Sequence, residues 1–428
     1  MTKLDIRGEI LRRKFKITNK FYYAIYYYVM KIVGRKYNAR YEIIDDVNDC
    51  KGPCFVIFNH LSRIDHKYVL DITYPKRINM LAGYNEFFRS HLHFAFKLNN
   101  VLPKKQYIND ITGMKAMLSI IKHGGSVAFA PEGLATNDGM NKPIVPKTGH
   151  LLKKCGVPVY FVKLRGEYLQ NTKHCLEVRQ GETFASVSLL FSPDDLANLT
   201  ADEIDDKINL AFKHDEYAWQ KDKRIKWKMN GNNCERLEDI LYRCPKCNSE
   251  FTTEGKGDRI ICGNCGNGAT LDEYYGLQKL NDDCVIPELV SDWVKDERIA
   301  IIKEIRADEN YEFKERVKIG KLPNNRYLKD KKTSEIVGAG VLTIDHEGMH
   351  YRDDETEENN FDLSYNELYT VITELDSSYF NIYVGGEYCD IFPERKSSIK
   401  ISMLVEEMHR LHVNFYKNFP WNDYMYQE

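Results

Sequence analysis

Cys54-Phe55-Val56-Ile57-Phe58-Asn59-His60-Leu61-Ser62-Arg63-Ile64-Asp65 is the stretch on which the fold turns. Its first half is a short apolar strand ending in Asn-His, and its second half is a turn carrying an imidazole and, five positions on, a carboxylate. A histidine is the usual general base near neutral pH. A carboxylate on its far nitrogen fixes the tautomer and steadies the imidazolium formed during proton transfer. Five positions on a straight helix rotate by about 140°, outside the same-face offsets of three and four, so Asp65 is predicted to reach His60 only if His60 sits on the turn before a helix. Taken alone, a histidine five before an aspartate also describes a surface pair, and the surroundings must decide.

Outward from that stretch, strands alternate with helices. Asp110 to His123 has helical spacing at Ile111, Met114, Met117/Leu118 and Ile121, and it stops at Gly124-Gly125, which reads as a helix end ahead of the alternative, a phosphate loop. Ser126 to Ala130 runs as a strand into Pro131-Glu132-Gly133, and Val157 to Leu164 is β-rich around Pro158. Thr200 with Glu203 forms a capping box opening a helix predicted to run to about Lys228. Residues 41–235 therefore read as an α/β domain, a mostly parallel mixed sheet with flanking helices.

The blocks that follow His60 give it a family context. Asn59 to Asp65 resembles the His-x4-Asp signature of the glycerolipid acyltransferase superfamily, whose best-known class is 1-acylglycerol-3-phosphate acyltransferase. Phe129-Ala130-Pro131-Glu132-Gly133 resembles its Pro-Glu-Gly block, and Lys147-Thr148-Gly149 with Gly156-Val157-Pro158-Val159 resembles the Lys-x-Gly and Val-Pro blocks beyond it. Leu81 to Lys105, with Glu86 and Lys104-Lys105, takes the place of the second block. The resemblance covers roughly residues 45–230. It implies transfer of a fatty acyl group from acyl-CoA or acyl carrier protein to a lysophospholipid. The leading acceptor is 1-acylglycerol-3-phosphate, giving phosphatidate, with another lysolipid or glycerol-3-phosphate as the alternative. His60 is then the base, Asp65 its orienting partner, Glu132 and Gly133 part of the acceptor site, and Lys104 or Lys105, with Lys147, the substrate-binding cations. The chain departs from the family where Pro-Glu-Gly usually continues Thr-Arg-Ser, because here it continues Leu134-Ala135-Thr136. The bidentate arginine is gone, so a phosphate-bearing acceptor needs compensation from Lys142, Lys147, Lys163 or Arg165.

Cys244-Pro245-Lys246-Cys247 and Cys262-Gly263-Asn264-Cys265, 14 residues apart, form two knuckles of the four-cysteine zinc-ribbon kind. Four thiolates leave no position for water, so the expected zinc is structural, within a unit spanning 240–275. Residues 290–428 are predicted to hold a helix and then a β-rich domain. Its turns lie at Asp345-His346-Glu347-Gly348 and Gly385-Gly386, and a last helix has apolar positions Ile401, Leu404, Val405, Met408, Leu411 and Phe415. With its several strands and closing helix it looks like a pleckstrin-homology-like or GRAM-like module. A plain interaction or spacer domain reads equally well from the same signals.

The chain of 428 residues is 43% hydrophobic and 29% charged, which excludes wholesale disorder and allows several domains. Its net charge of −2 hides an asymmetry: residues 1–40 hold eleven Lys/Arg against Asp5 and Glu9, a local +9 that leaves −11 on the rest. That basic charge brackets the run Phe21 to Val33, whose 13 residues fall short of the roughly 20 needed to span a bilayer. Tyrosines settle at the headgroup level, and each basic residue near an anionic leaflet contributes about 1 kcal/mol. Residues 1–40 thus read as an interfacial helix on an anionic membrane surface; a core helix packed on the domain behind it is the plainer reading. Charges interrupt Met1 to Glu9, so no cleaved export signal is expected, and eleven cysteines, an odd number, fit a reducing compartment. The location expected is cytoplasmic, peripheral on the inner face of the membrane. A different class remains, a zinc-ribbon adaptor for protein or nucleic acid using Lys221 to Lys228 with Trp219 and Trp227, but the acidic remainder of the chain speaks against nucleic acid.

Overall fold

The computed structural model of the chain describes residues 5–322 and 334–413, so Phe415 and the expected end of the last unit at 428 lie outside the described residues. Seven strands build the first sheet: β1 (Asn38–Ile43), β2 (Phe55–Phe58), β3 (Ile78–Gly83), β4 (Leu102–Lys104), β5 (Ser126–Phe129), β6 (Val159–Arg165) and β7 (Glu182–Phe191). Their order is β1-β7-β6-β2-β5-β3-β4. The five strands from β6 to β4 are mutually parallel, β7 is antiparallel to β6, and β1 is parallel to β7. This is the mostly parallel mixed sheet the sequence predicts. β2, buried at every position, lies mid-sheet, and its side chains alternate between two faces.

Twelve helices are described: α1 (Ile6–Arg12), α2 (Lys20–Val33), α3 (Asp65–Thr73), α4 (Ser90–Leu98), α5 (Ile111–Lys122), α6 (Thr148–Cys155), α7 (Glu167–Gln170), α8 (Pro193–Asn198), α9 (Ala201–Phe212), α10 (Glu216–Lys223), α11 (Val290–Ala307) and α12 (Ser398–Val413). Phe55 and Ile57 face the core shared with α5, α6, α8 and α9, while Val56 and Phe58 face α3. Beyond α3 that second core is continuous through Trp227 and Trp293 into the C-terminal domain, so the separate units of the sequence share one interior.

Two sequence expectations change. Thr200 does cap its helix through a capping box with Glu203, yet α9 ends at Phe212, and α10 begins afresh four residues later, at Glu216. The Asp215 carboxylate accepts from the N–H groups of Tyr217 and Ala218, and His214 and Glu216 bond to Asn141 and Gly139, so tertiary partners replace the helical bonds. Residues 5–40 hold two helices and the start of β1 at Asn38. α1 buries Ile6 and Ile10 beside Phe87, Phe88, Tyr383 and Tyr388. α2 has two apolar faces. Tyr23, Tyr26 and Met30 point inward, while Phe21 (67% exposed), Ile25, Tyr28, Val29 and Ile32 (61%) form an outward stripe at helical spacing. The inward face is the core helix of the plainer reading, and the outward stripe is exposed, with Tyr28 at its edge meeting the ring of Tyr74 at 6.3 Å. No described helix is long and apolar enough to cross a membrane.

The cysteine unit holds β8 (Thr253–Lys256), β9 (Arg259–Cys262), β10 (Gly268–Leu271) and β11 (Leu277–Lys279), all antiparallel, so it runs slightly past the expected end at 275. The C-terminal unit is a seven-stranded antiparallel sheet: β12 (Glu312–Lys321), β13 (Glu335–Asp345), β14 (Gly348–Asp353), β15 (Phe361–Ser364), β16 (Ile372–Thr373), β17 (Phe380–Val384) and β18 (Glu387–Pro393). Its order is β15-β14-β13-β12-β18-β17-β16, with α12 packed against β16 and α11. The Gly385-Gly386 turn falls between β17 and β18 with both residues at positive φ, the conformation a tight hairpin requires.

A buried ion cluster locks this domain to the first. The Lys142 ammonium lies 2.6 Å from Glu406 on α12, and Arg298 of α11 bonds Glu406 at 2.9 Å and Glu407 at 2.8 Å. Burial works against the Glu406 carboxylate, but Lys142 and Arg298 prevail and hold its pKa down to about 2. A depressed carboxyl contributes stability that is full above the ordinary value of 4.5 and lost as pH falls toward 2. Lys142→Met, which strands part of that charge, is expected to cost about 3–5 kcal/mol in denaturant titrations at pH 7. The same variant should lose less further stability than the wild type between pH 4.5 and 2; equal acid sensitivity in both would contradict the assignment.

Candidate active site

The carboxyl ends of β2, β3, β5 and β6 converge on one cavity of about 580 Å³, as expected for an open α/β sheet. β2 delivers His60; β3 leads to Glu86 and Arg89; β5 leads to Gly133 and Thr136; β6 leads through α7 to Lys173. The C-terminal domain closes the remaining side with Ile372, Thr373 and Glu374. Most of the lining is apolar, from the inward face of α2, from β3 and from α4, so the cavity has room and surface for a hydrocarbon chain.

His60 sits on the turn before α3, as the spacing requires, with Nδ1 2.8 Å from Oδ2 of Asp65. Asp65 is buried, and its carboxylate also accepts the Leu61 N–H at 2.8 Å, the Ser62 N–H at 3.0 Å and the Ser62 hydroxyl at 2.8 Å. Those bonds lock the carboxylate, and the carboxylate locks the ring, which leaves Nε2 without a protein partner among the described residues while the side chain stays 30% exposed in the cavity wall. A second imidazole, His66, also lines the cavity, but burial lowers its pKa and Tyr26 stacks on it at 6.4 Å.

The other expected site residues are placed as follows. Glu132 is buried behind the wall: its carboxylate accepts the backbone N–H of His60 at 2.6 Å and of Lys142 at 2.9 Å, and burial pushes its pKa up to about 8. It positions the His60 turn from beneath. Gly133, at φ +76°, does line the cavity. Lys104 lies 3.7 Å from Asp110, and Lys105 donates to the Gly386 carbonyl at 2.8 Å; neither is in the wall. Lys147 is exposed at the start of α6 in a left-handed conformation. Lys142 is held by Glu406, Lys163 donates to the Ala211 carbonyl and Arg165 to the Ser186 hydroxyl. The cations that do line the cavity, among the described residues, are Arg63, Arg89 and Lys173. No motif or spacing singles out Lys173, which lies in irregular chain beyond α7; Arg63 stood inside the quoted stretch with no signal of its own.

The four knuckle cysteines also meet. The sulfurs of Cys244, Cys247, Cys262 and Cys265 all lie within 4.8 Å of one another, with Cys244–Cys265 at 3.7 Å and Cys247–Cys262 at 3.8 Å. A tetrahedral zinc with bonds of about 2.3 Å places its sulfurs about 3.8 Å apart, so the donor set and its spacing fit that metal. Part of the set an adaptor would use is otherwise engaged: Trp227 is buried, Lys221 pairs with Glu288 at 2.5 Å and Lys226 with Glu273 at 2.7 Å.

No family model matches the chain. A stretch of 132 residues, 30% of the chain, is 25% identical to the 1-acyl-sn-glycerol-3-phosphate acyltransferase BAT2, chloroplastic, of Brassica napus, covering 38% of that protein. Over this stretch the chain resembles an acyltransferase. It spans well under half the length of that curated relative. Among solved structures, the chain is similar to the 1-acyl-sn-glycerophosphate (LPA) acyltransferase PlsC from Thermotoga maritima, with a TM-score of 0.38 and 15% identity over 49% of this chain and 84% of that one.

Proposed function

We propose that the protein is an acyltransferase that moves a fatty acyl group from a thioester, acyl-CoA or acyl carrier protein, onto the free hydroxyl of a lysophospholipid, with 1-acylglycerol-3-phosphate as acceptor and phosphatidate as product. The observation that carries this reading is the His60–Asp65 pair, locked at 2.8 Å in the wall of a largely apolar cavity. Nε2 of His60 takes the proton from the acceptor hydroxyl as its oxygen attacks the thioester carbonyl. The tetrahedral species collapses by breaking the C–S bond, and the departing thiolate recovers the proton from the imidazolium, which Asp65 has steadied throughout. No acyl-enzyme forms, so both substrates occupy the site together. A screen of lysolipid and glycerol-3-phosphate acceptors against acyl-CoA and acyl carrier protein tests this. Acceptor-dependent thiol release supports it, and thioester left intact with every acceptor contradicts it.

One structural zinc on Cys244, Cys247, Cys262 and Cys265 belongs to the same reading, supported by the sulfur spacing. So does docking on an anionic membrane at its inner, cytoplasmic face. The outward stripe of α2 provides apolar area, and Lys14, Lys16 and Lys20 are exposed in the chain that leads into it, with Arg12, paired to Asp5 at 3.2 Å, exposed before them. Arg13 does not join them, because its guanidinium donates to the Lys97 carbonyl at the end of α4 at 2.7 Å. Changing Arg12, Lys14, Lys16 and Lys20 together to Gln is expected to weaken binding to anionic vesicles by up to about 4 kcal/mol at roughly 1 kcal/mol per charge. Wild-type binding should fall with salt and be weaker on neutral vesicles. Unchanged sedimentation of the variant with anionic vesicles would remove the membrane from the account.

A further inference from the structure

The family pattern puts an arginine after Pro-Glu-Gly, and this chain has none, yet the cavity is not without positive charge. Three cations among the described residues line it. Arg89 is matched by carboxylates, Glu86 at 3.0 Å and Glu374 at 3.2 Å. Lys173 and Arg63 are not, for neither has a carboxylate within ion-pair distance among the described residues. The Lys173 ammonium, 6% exposed, donates to the Asn137 side-chain oxygen and the Thr373 hydroxyl, both at 2.8 Å, and faces the Ala135 carbonyl at 3.4 Å. Arg63 donates to the carbonyl of Leu176, three residues beyond Lys173, so both cations belong to one wall. A buried charge hydrogen-bonded only to neutral dipoles is costly and gains most when an anion arrives in direct contact with it.

The setting of Lys173 depends on the C-terminal domain. Thr373, on β16, supplies one of its three acceptors, and the backbone N–H of Asp376 bonds the Lys173 carbonyl at 2.9 Å. Thr373 also donates to Asn137, so the two domains share one hydrogen-bonded group at the cavity. Resting on the acyl-transfer reading, we propose that Lys173, with Arg63 beside it, receives the phosphate monoester of the acceptor, and that the C-terminal domain completes this headgroup site through Thr373. The acceptor is favoured over coenzyme A as the source of that phosphate. On a lysolipid the phosphate sits on the same glycerol as the reacting hydroxyl and must enter the His60 cavity with it, whereas coenzyme A carries its phosphates a full pantetheine arm from the thioester. Burial, together with the charge of Lys142, outweighs the more distant carboxylates of Glu374 and Asp138 and pushes the Lys173 pKa down to about 7, as expected of an ammonium with no carboxylate in direct contact.

The test uses the full chain and steady-state kinetics with 1-acylglycerol-3-phosphate, neutral monoacylglycerol and acyl-CoA. Lys173→Met is expected to raise KM for the phosphate-bearing acceptor about 10–100-fold more than KM for monoacylglycerol or for acyl-CoA, the scale of one lost charge-assisted bond. Thr373→Val and Arg63→Gln should shift the same ratio in the same direction, and Lys173→Arg should restore part of it; melting temperatures identify any variant that has not folded. Equal changes for both acceptors, or a rise confined to acyl-CoA, would overturn the assignment. Calorimetry with sn-glycerol 3-phosphate separates this proposal from the one beneath it. If the wild type transfers no acyl group yet binds that ligand, and Lys173→Met does not, the headgroup site stands and the acyl-transfer reading falls. A wild type that transfers acyl groups while Lys173→Met leaves both KM ratio and ligand binding unchanged sinks the headgroup site alone.

Discussion

Replacing His60 by alanine is expected to lower kcat by about 10²–10⁴-fold while the melting temperature stays close to wild type. The ring makes one strong contact, with Asp65, and is partly exposed, so its removal leaves no large cavity and no orphaned backbone group. Asp65→Asn should cost comparably in rate and more in stability. The amide turns one acceptor oxygen into a donor facing the Leu61 and Ser62 N–H groups, and it no longer selects the tautomer that keeps Nε2 free to accept a proton. His66→Ala is the control, because His66 lines the same cavity without a locked carboxylate partner. Initial-rate measurements of thiol release separate the three: a loss in His66→Ala as large as in His60→Ala would reassign the base.

Removal of the metal is the second large effect. The proposal expects one zinc per chain, and such sites carry apparent binding free energies of about 10–16 kcal/mol that are folding free energy. Chelation, or Cys262→Ser, is therefore expected to unfold the ribbon, and the damage should spread. Arg179 bonds the Tyr275 hydroxyl at 2.8 Å and fixes the segment that carries Lys173, while the Arg243 backbone N–H, beside the first knuckle, bonds Glu297 of α11 at 2.8 Å. Acyl transfer should fall together with the melting transition. Metal analysis of reduced protein that finds no zinc, or a melting curve indifferent to chelator, would contradict this.

What the sequence shows and what it hides divides along physical lines. The strand, turn and helix from Cys54 to Thr73 are legible because strand pattern, turn spacing and helix start all lie within about twenty consecutive residues. The cysteine knuckles are legible because metal ligation constrains residue type as well as spacing. The break between α9 and α10 is not, since the bonds that cause it come from Gly139 and Asn141, far upstream. The all-round apolarity of α2 left core and surface readings open. Only the position of the cavity shows which face turns inward. The pairing of Lys142 with Glu406 joins residues 264 apart, and nothing local marks either side chain as a partner. Lys173 is hidden for the same reason, as its meaning comes from Thr373, in a domain the sequence presents as separate.

The central claim is that His60 and Asp65 drive transfer of an acyl group from a thioester to a lysolipid hydroxyl. It is tested most directly by measuring, in one reaction, free thiol released from acyl-CoA and diacyl product formed from 1-acylglycerol-3-phosphate, for the full chain and for His60→Ala. The account predicts that thiol and product appear one to one in the wild type, only when acceptor is present, and that both disappear in the variant. Thiol released without acceptor, or product formed at the wild-type rate by His60→Ala, would contradict it.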